Sequence, residues 1–299
     1  MVDGITKRTV ARVGAALVFL TLAGATYQGV TTAFERREYP RPGGMVDVGG
    51  HQLHIYCSGE GSPTAILEAP AGGMSAAWGA VQPQVARVTR VCSYDRAGLG
   101  WSERPDGPYE PAAVVEQLRT LLDGAGERSP YIVAGQGLGA AFATLFASRF
   151  GRDTAALILV DAPPGGHPPA EPKLLTRLPA ALPWLARTGV LRASGGLCSM
   201  TARLPQPSGG ALCAFLNRPD HLSRTAEELS RWNDAVTPAA GARIPATIPT
   251  VRLDVFGHAR VAFLAAAESS PVVTAILDAV HRARATTVPG AEDATPDAP

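Results

Sequence analysis

The chain has 299 residues, 46% of them hydrophobic and 18% charged, with a formal net charge of +1. That length supports one large domain with a substantial core. The near-zero charge excludes the basic footprint through which proteins engage the phosphates of nucleic acid.

The first element is apolar. Val13 to Ala33 carries no charge over 21 positions. As a helix this run is about 31 Å long, close to the roughly 30 Å hydrocarbon core of a bilayer. Lys7, Arg8 and Arg12 precede it and direct the short N-terminal arm to the cytoplasm. Apolar character on all faces argues against a buried globular helix. Ala23-Gly24-Ala25 resembles a signal-peptidase site, so a cleaved signal is the alternative. The uncharged run continues past Ala25, which favours an anchor. The expectation is a single-pass membrane anchor over 1–34 with the remainder outside the cytoplasm, or else secretion after cleavage. Residues 35–44 are charged and Pro/Gly-rich and read as a linker.

The next elements alternate. Met45 to Val48 and Gln52 to Cys57, joined through Gly49-Gly50, predict a hairpin. Thr64 to Glu68 is a short apolar strand. Trp78 to Val88 reads as a helix containing Pro83, Val91 to Tyr94 as a strand and Ala112 to Leu122 as an amphipathic helix. Tyr131 to Ala134, a helix over Ala140 to Arg149, and Ala155 to Asp161 complete a β-α-β run. Such alternation predicts a largely parallel sheet. From 163 to about 240 no strand is evident, and helical pieces at Leu174 to Thr188 and His221 to Val236 suggest a helical lid. A strand at Ile248 to Phe256 and a helix at Pro271 to Arg284 restore the core over 241–284, followed by a polar, Pro-rich tail over 285–299.

Cys57, Cys92, Cys198 and Cys213 are an even set behind an export segment, which permits two disulfides. None has C-x-x-C spacing, so zinc is not expected, and no other metal or cofactor is implied.

The most informative segment is Val133-Ala134-Gly135-Gln136-Gly137-Leu138-Gly139. Its spacing is that of the G-x-S-x-G nucleophile elbow, a sharp strand-to-helix turn that presents a serine. Here glycine stands at the centre. The same residues also fit a dinucleotide fingerprint, Gly135-x-Gly137-x-x-Ala140, with Asp161 as the ribose-binding acid. That fingerprint normally opens the first β-α-β unit, whereas several strands precede this one.

Together with Val46-Asp47-Val48-Gly49-Gly50, the tract Tyr94-Asp95-Arg96-Ala97-Gly98-Leu99-Gly100-Trp101-Ser102 and Leu159-Val160-Asp161-Ala162, the elbow resembles the α/β-hydrolase superfamily, in particular membrane-anchored bacterial members with an exported domain. The resemblance implies an α/β-hydrolase fold: a mostly parallel sheet, helices on both faces and a helical lid. One C-terminal strand is missing from the pattern. It also implies that the second strand lies beside the fourth, making Cys57 and Cys92 neighbours. Cys198 and Cys213, both in the lid, would close a 16-residue loop worth about 3 kcal/mol in a chain-entropy estimate.

By the same resemblance His258 is the candidate base, Asp161 and Asp254 are weak candidates for the acid, and the backbone N–H groups of Ala71 and Leu138 form the oxyanion hole. Gly137 occupies the nucleophile position without a side chain. The expectation is a catalytically impaired hydrolase-fold protein of the cell envelope. The alternatives are a weak esterase of small apolar esters, a non-catalytic ligand- or protein-binding module, and the dinucleotide reading.

Overall fold

The computed structural model describes residues 2–163, 181–256, 263–264 and 266–287. Among these, seven strands form one sheet in the order β1-β2-β4-β3-β5-β6-β7. They are β1 (Gly44–Asp47), β2 (Gln52–Ser58), β3 (Thr64–Glu68), β4 (Val91–Tyr94), β5 (Tyr131–Gln136), β6 (Thr154–Val160) and β7 (Thr250–Leu253). The β1–β2 and β2–β4 pairs are antiparallel and the rest are parallel.

The central strands read as continuous apolar runs because both faces are covered. Ile66, Val133, Leu157 and Leu159 point to the layer that holds α3 (Ala113–Gly124) and α4 (Leu138–Arg149). Their neighbours Ala65, Leu67, Ile132, Ala134, Ile158 and Val160 point to the layer holding Trp78, Val85 and the C-terminal helix Ala266–Thr287. This is the period-2 alternation of a pleated strand, used twice over.

β2 lies against β4 as expected, with Cys57 directly opposite Cys92. The two are bridged, as are Cys198 and Cys213, and no cysteine is left free. Non-reducing peptide mapping of the purified protein is expected to recover both pairs. Two free thiols at Cys57 and Cys92 would refute the assignment and the oxidising location it implies.

Several sequence expectations are corrected. The segment read as a linker starts as helix: α1 runs from Val2 to Glu38, because Glu35 pairs with Arg192 instead of facing water alone. Trp78 to Val88 is not one helix. A 3-10 turn ends at Trp78, and Pro83 sits in the first turn of a new short helix, α2 (Gln82–Val85), where a missing N–H costs nothing. His221 to Val236 is split at Arg231 into helices Pro219–Ser230 and Trp232–Gly241. The strand read over Ile248 to Phe256 shrinks to β7, since Pro249 precedes it and Asp161 captures the N–H groups of Val255 and Phe256. Among the described residues no strand follows β7. Of the expected helix Leu174 to Thr188, only residues from 181 onward are described, and 181–187 are helical.

Candidate functional site: a nucleophile elbow without a nucleophile

The chain crosses from β3 to β4 on one side and from β5 to β6 on the other, so the strand order reverses between β3 and β5. In open α/β sheets ligands bind at the carboxyl ends of strands flanking such a point. The loop after β3 and the turn after β5 meet there.

The turn after β5 has the elbow geometry. Gly137 lies between β5 and α4 with φ 55° and ψ −119°. Its N–H donates to Val160 O at 2.9 Å, and its carbonyl accepts from Ala140 N–H at 3.0 Å. The three glycines have different causes. A Cβ on Gly139 would stand 2.4 Å from Glu68 O, and one on Gly135 2.3 Å from Gly139 O, so both permit α4 to sit directly on the strand ends. A Cβ on Gly137 would meet nothing closer than Pro70 Cβ at 3.7 Å. Space for a side chain therefore exists at the nucleophile position. Glycine there relieves only the positive φ, which costs a residue with a Cβ about 1–3 kcal/mol.

The loop after β3, residues 69–73, is held by a buried ionic network that sequence reading missed. Arg96 is 2% exposed and Glu68 and Glu228 are fully buried. Arg96 Nη1 donates to Glu68 Oε1 (2.7 Å) and Ala69 O (2.6 Å), and Nη2 to Pro70 O (2.9 Å). The pair with Glu228 is bidentate, from Nε at 2.7 Å and Nη2 at 3.0 Å. Glu228 also accepts from Gly72 N–H at 2.9 Å, and the Tyr94 hydroxyl donates to Glu68. Burial pushes the Glu68 carboxyl up, and Arg96 and Tyr94 oppose that. Burial alone would lower Arg96, but the two carboxylates hold it well above its ordinary value.

His221, one turn before Arg224 and two before Glu228, completes the clamp. Its Nε2 donates to Gly72 O at 2.9 Å, and its Nδ1 accepts from Gly100 N–H at 3.1 Å. Burial lowers its pKa, in keeping with the neutral tautomer these bonds require. One face of the helix Pro219–Ser230 thus fastens the lid to the loop after β3. Ala71 and Leu138, which carry the two expected oxyanion donors, are both buried. Pro70, which has no N–H, packs over the elbow.

A second cluster has the composition of a triad but not its geometry. His54 Nδ1 bonds Asp95 Oδ2 at 2.9 Å, and Ser75 Oγ lies 3.5 Å from that same nitrogen. The other ring nitrogen, Nε2, is taken by Pro42 O. A triad needs serine and aspartate on opposite nitrogens, so His54 cannot relay between them. The cluster is structural: Asp95 also accepts from the N–H groups of Ser75 (2.6 Å) and Trp101 (2.8 Å).

Burial would raise Asp95, but His54 and those N–H groups bring it below the usual carboxylate range. Burial would lower His54, but Asp95 lifts it above the ordinary histidine value. Asp95 therefore adds stability above the unfolded carboxylate pKa, lost as pH falls through its depressed folded value. His54 adds stability below the unfolded histidine pKa, lost as pH rises through its raised folded value. Stability from this pair should peak between the two, and Asp95→Asn should flatten that part of a urea-denaturation pH profile. An unchanged profile would contradict the pairing.

The remaining triad candidates are scattered. Asp161 directly follows β6 with φ 47°, the one positive φ outside glycine among the described residues. Its Oδ1 accepts from Val255 N–H (2.6 Å) and Phe256 N–H (2.8 Å). Its Oδ2 is buried with no hydrogen-bond partner among the described residues. Asp254 follows β7 on the wall of a cavity of about 500 Å³ that also touches Ala140 and Leu159. His258 lies outside the described residues. The structure thus brings together Gly137, Leu138, Pro70 and Ala71 at the elbow, with Asp161 at the end of the adjacent strand.

This arrangement defines a hydrolase scaffold, and comparison with known proteins gives its family. The family model described as the alpha/beta hydrolase family matches residues 61–295, so the chain belongs to that family. Among curated proteins, a probable transporter, efuK, of Hormonema carpetanum is 35% identical over 98 residues, 31% of this chain and 14% of that protein. The 2-hydroxy-6-oxo-2,4-heptadienoate hydrolase of Pseudomonas putida is 32% identical over 123 residues, 40% of this chain and 44% of that enzyme. The chain thus spans less than half the length of these curated relatives. Among solved structures, the epoxide hydrolase CorEH superposes with a TM-score of 0.62 at 17% identity, over 80% of this chain and 98% of that one, a likeness of fold.

Proposed function

We propose that this chain is a catalytically impaired α/β-hydrolase anchored in the cell envelope, with its folded domain on the extracytoplasmic side. The observation that carries the reading is Gly137: the elbow keeps its backbone, its flanking glycines and room for a side chain, and has no nucleophile. The neighbouring Ser75–His54–Asp95 cluster has the wrong geometry to replace it. Of the two acid candidates, Asp161 is the better vestige, because it joins a positive φ to an oxygen without a hydrogen-bond partner among the described residues. His258 remains the candidate base. Support for the envelope comes from the 31-residue apolar helix Arg8–Glu38 and from the pairing of all four cysteines.

The dinucleotide reading is the weaker one, since Asp161 Oδ1 already accepts from Val255 and Phe256, its Oδ2 is buried, and the fingerprint follows the fifth strand and not the first. A ligand-binding role is favoured by one observation. A cavity of about 570 Å³ lies between the end of α1, β2 and the lid, and is lined by Tyr39, Tyr56, Trp101 and several prolines, with Glu38, Ser58, Ser75, Gln82, Gln206 and Ser208 as polar points. That mix suits a small apolar molecule or ester.

Turnover of p-nitrophenyl esters tests the main reading. A well-formed site without its nucleophile retains about 10³–10⁴-fold over water from oxyanion donors and binding. With Pro70 in the loop and the donors buried, the wild-type chain is expected to fall below that. Gly137→Ser should add only slight activity. Vigorous wild-type turnover, insensitive to His258→Ala, would overturn the assignment. Inertness together with ester-dependent thermal stabilisation would favour the binding role.

A further inference from the structure

The helix α1 meets the lid along one stripe. A Cβ on Gly24 would lie 1.9 Å from Thr188 O, so the two backbones touch. Four residues on, Gln28 is buried. Its amide donates to Asn217 O at 2.7 Å and accepts from Arg192 Nε at 2.8 Å. Arg192 also reaches Thr32 Oγ1 at 3.4 Å and pairs with Glu35. Spacing of three and four residues puts these groups on one helix face.

Docking at Gly24 has a consequence for depth. Only the part of α1 before Gly24 is free of the domain, and residues 8–23 are all exposed. Its uncharged portion, Val13 to Ala23, is about 16 Å long. That is roughly half the 30 Å core of a bilayer. The other half must come from the stretch that carries the lid, about 15 Å from Gly24 to Ala33.

The lid surface beside the docking point suits that position. Trp184 is 70% exposed, Leu185 44% and Val190 57%. Arg187 stacks on Trp184, its guanidinium 4.6 Å from the ring centroid, and its length allows the charge to reach headgroups. Across the contact Gln28, Arg192, Thr32 and one oxygen of Glu35 pair with one another, which keeps most of its polar groups satisfied away from water. Glu35 Oε2 and Asn217 Oδ1 have no hydrogen-bond partner among the described residues.

We propose that the lid surface formed by Trp184, Leu185 and Val190 is immersed in the lipid of the leaflet nearest the domain, so that lid and α1 enter the membrane together. This rests on the anchor reading above. The lipid site begins at the lid, not at the end of α1.

The test uses the full chain reconstituted into phosphatidylethanolamine–phosphatidylglycerol vesicles, with and without acyl-chain-brominated phosphatidylcholine. Tryptophan emission is compared with that of Trp184→Phe, which removes the reporter without a charge change. The emission lost in that variant is expected to fall at least about twofold in brominated vesicles and to resist aqueous iodide, as for a ring at the acyl boundary. Flotation of the protein with vesicles while Trp184 remains open to iodide and indifferent to bromine would overturn the immersed lid and leave the anchor standing. Failure to float would overturn the anchor and the immersed lid together.

Discussion

Replacing Arg96 by methionine is expected to destabilise the fold by about 3–5 kcal/mol, the usual cost of stranding buried charge. Two carboxylates, Glu68 and Glu228, would remain in a fully buried site without their cation. The carbonyls of Ala69 and Pro70 would lose their donors at the same time. The effect should appear as a fall in the urea midpoint at constant slope. Removing the whole network tests the cause: with Glu68 and Glu228 also replaced by apolar residues of similar size, much of the stability should return. A loss below about 1 kcal/mol for Arg96→Met would show that water reaches the site. The network joins lid to sheet, so the single variant should also loosen the helix Pro219–Ser230 from the loop over the elbow.

The elbow glycines should separate by cause. Gly139→Ala places a methyl 2.4 Å from Glu68 O and 2.5 Å from Ala69 O, both backbone atoms that cannot rotate away. Relief requires α4 to lift from β3, and overpacking of this kind costs about 1–3 kcal/mol and sometimes more. Gly135→Ala meets the same obstacle at Gly139 O and Ala140 Cα. Gly137→Ala meets only Pro70 Cβ at ordinary contact distance and should bear only the cost of its positive φ. The expected order of destabilisation puts Gly139→Ala and Gly135→Ala ahead of Gly137→Ala. If Gly137→Ala proved the worst of the three, the tight turn and not the helix-on-strand contact would be what the motif protects.

What was legible in the chain follows from the range of the forces involved. The strands were readable because β3, β5 and β6 carry unbroken apolar runs, Ala65 to Leu67, Tyr131 to Ala134 and Ala155 to Val160, and the elbow because its three glycines fall within five residues. The Cys57–Cys92 pairing came from the strand order that the family resemblance implies, and the structure bears it out. Boundaries failed where a distant partner decides them. Glu35 looked like linker because Arg192, which keeps α1 helical there, is 157 residues away. The strand before His258 was read too long because Asp161, 94 residues earlier, takes the N–H of Val255.

The Arg96 network was invisible for the same reason: Arg96 reaches Glu68 over 28 positions and Glu228 over 132. Only Asp95-Arg96, a charged pair directly after an apolar strand, hinted at it. In Glu228 nothing distinguishes a buried carboxylate from the exposed ones around it. Gln28 was likewise hidden inside a run that reads as apolar on all sides, yet it joins α1 to the lid.

The absence of a working nucleophile is tested most directly by intact-mass measurement after incubation with a fluorophosphonate. This reagent phosphonylates an activated serine oxygen with loss of fluoride. The wild-type chain is expected to keep its unmodified mass, because Gly137 has no oxygen and Ser75 shares a histidine nitrogen with Asp95. A single stoichiometric adduct on the wild-type chain would contradict the account and place the nucleophile elsewhere.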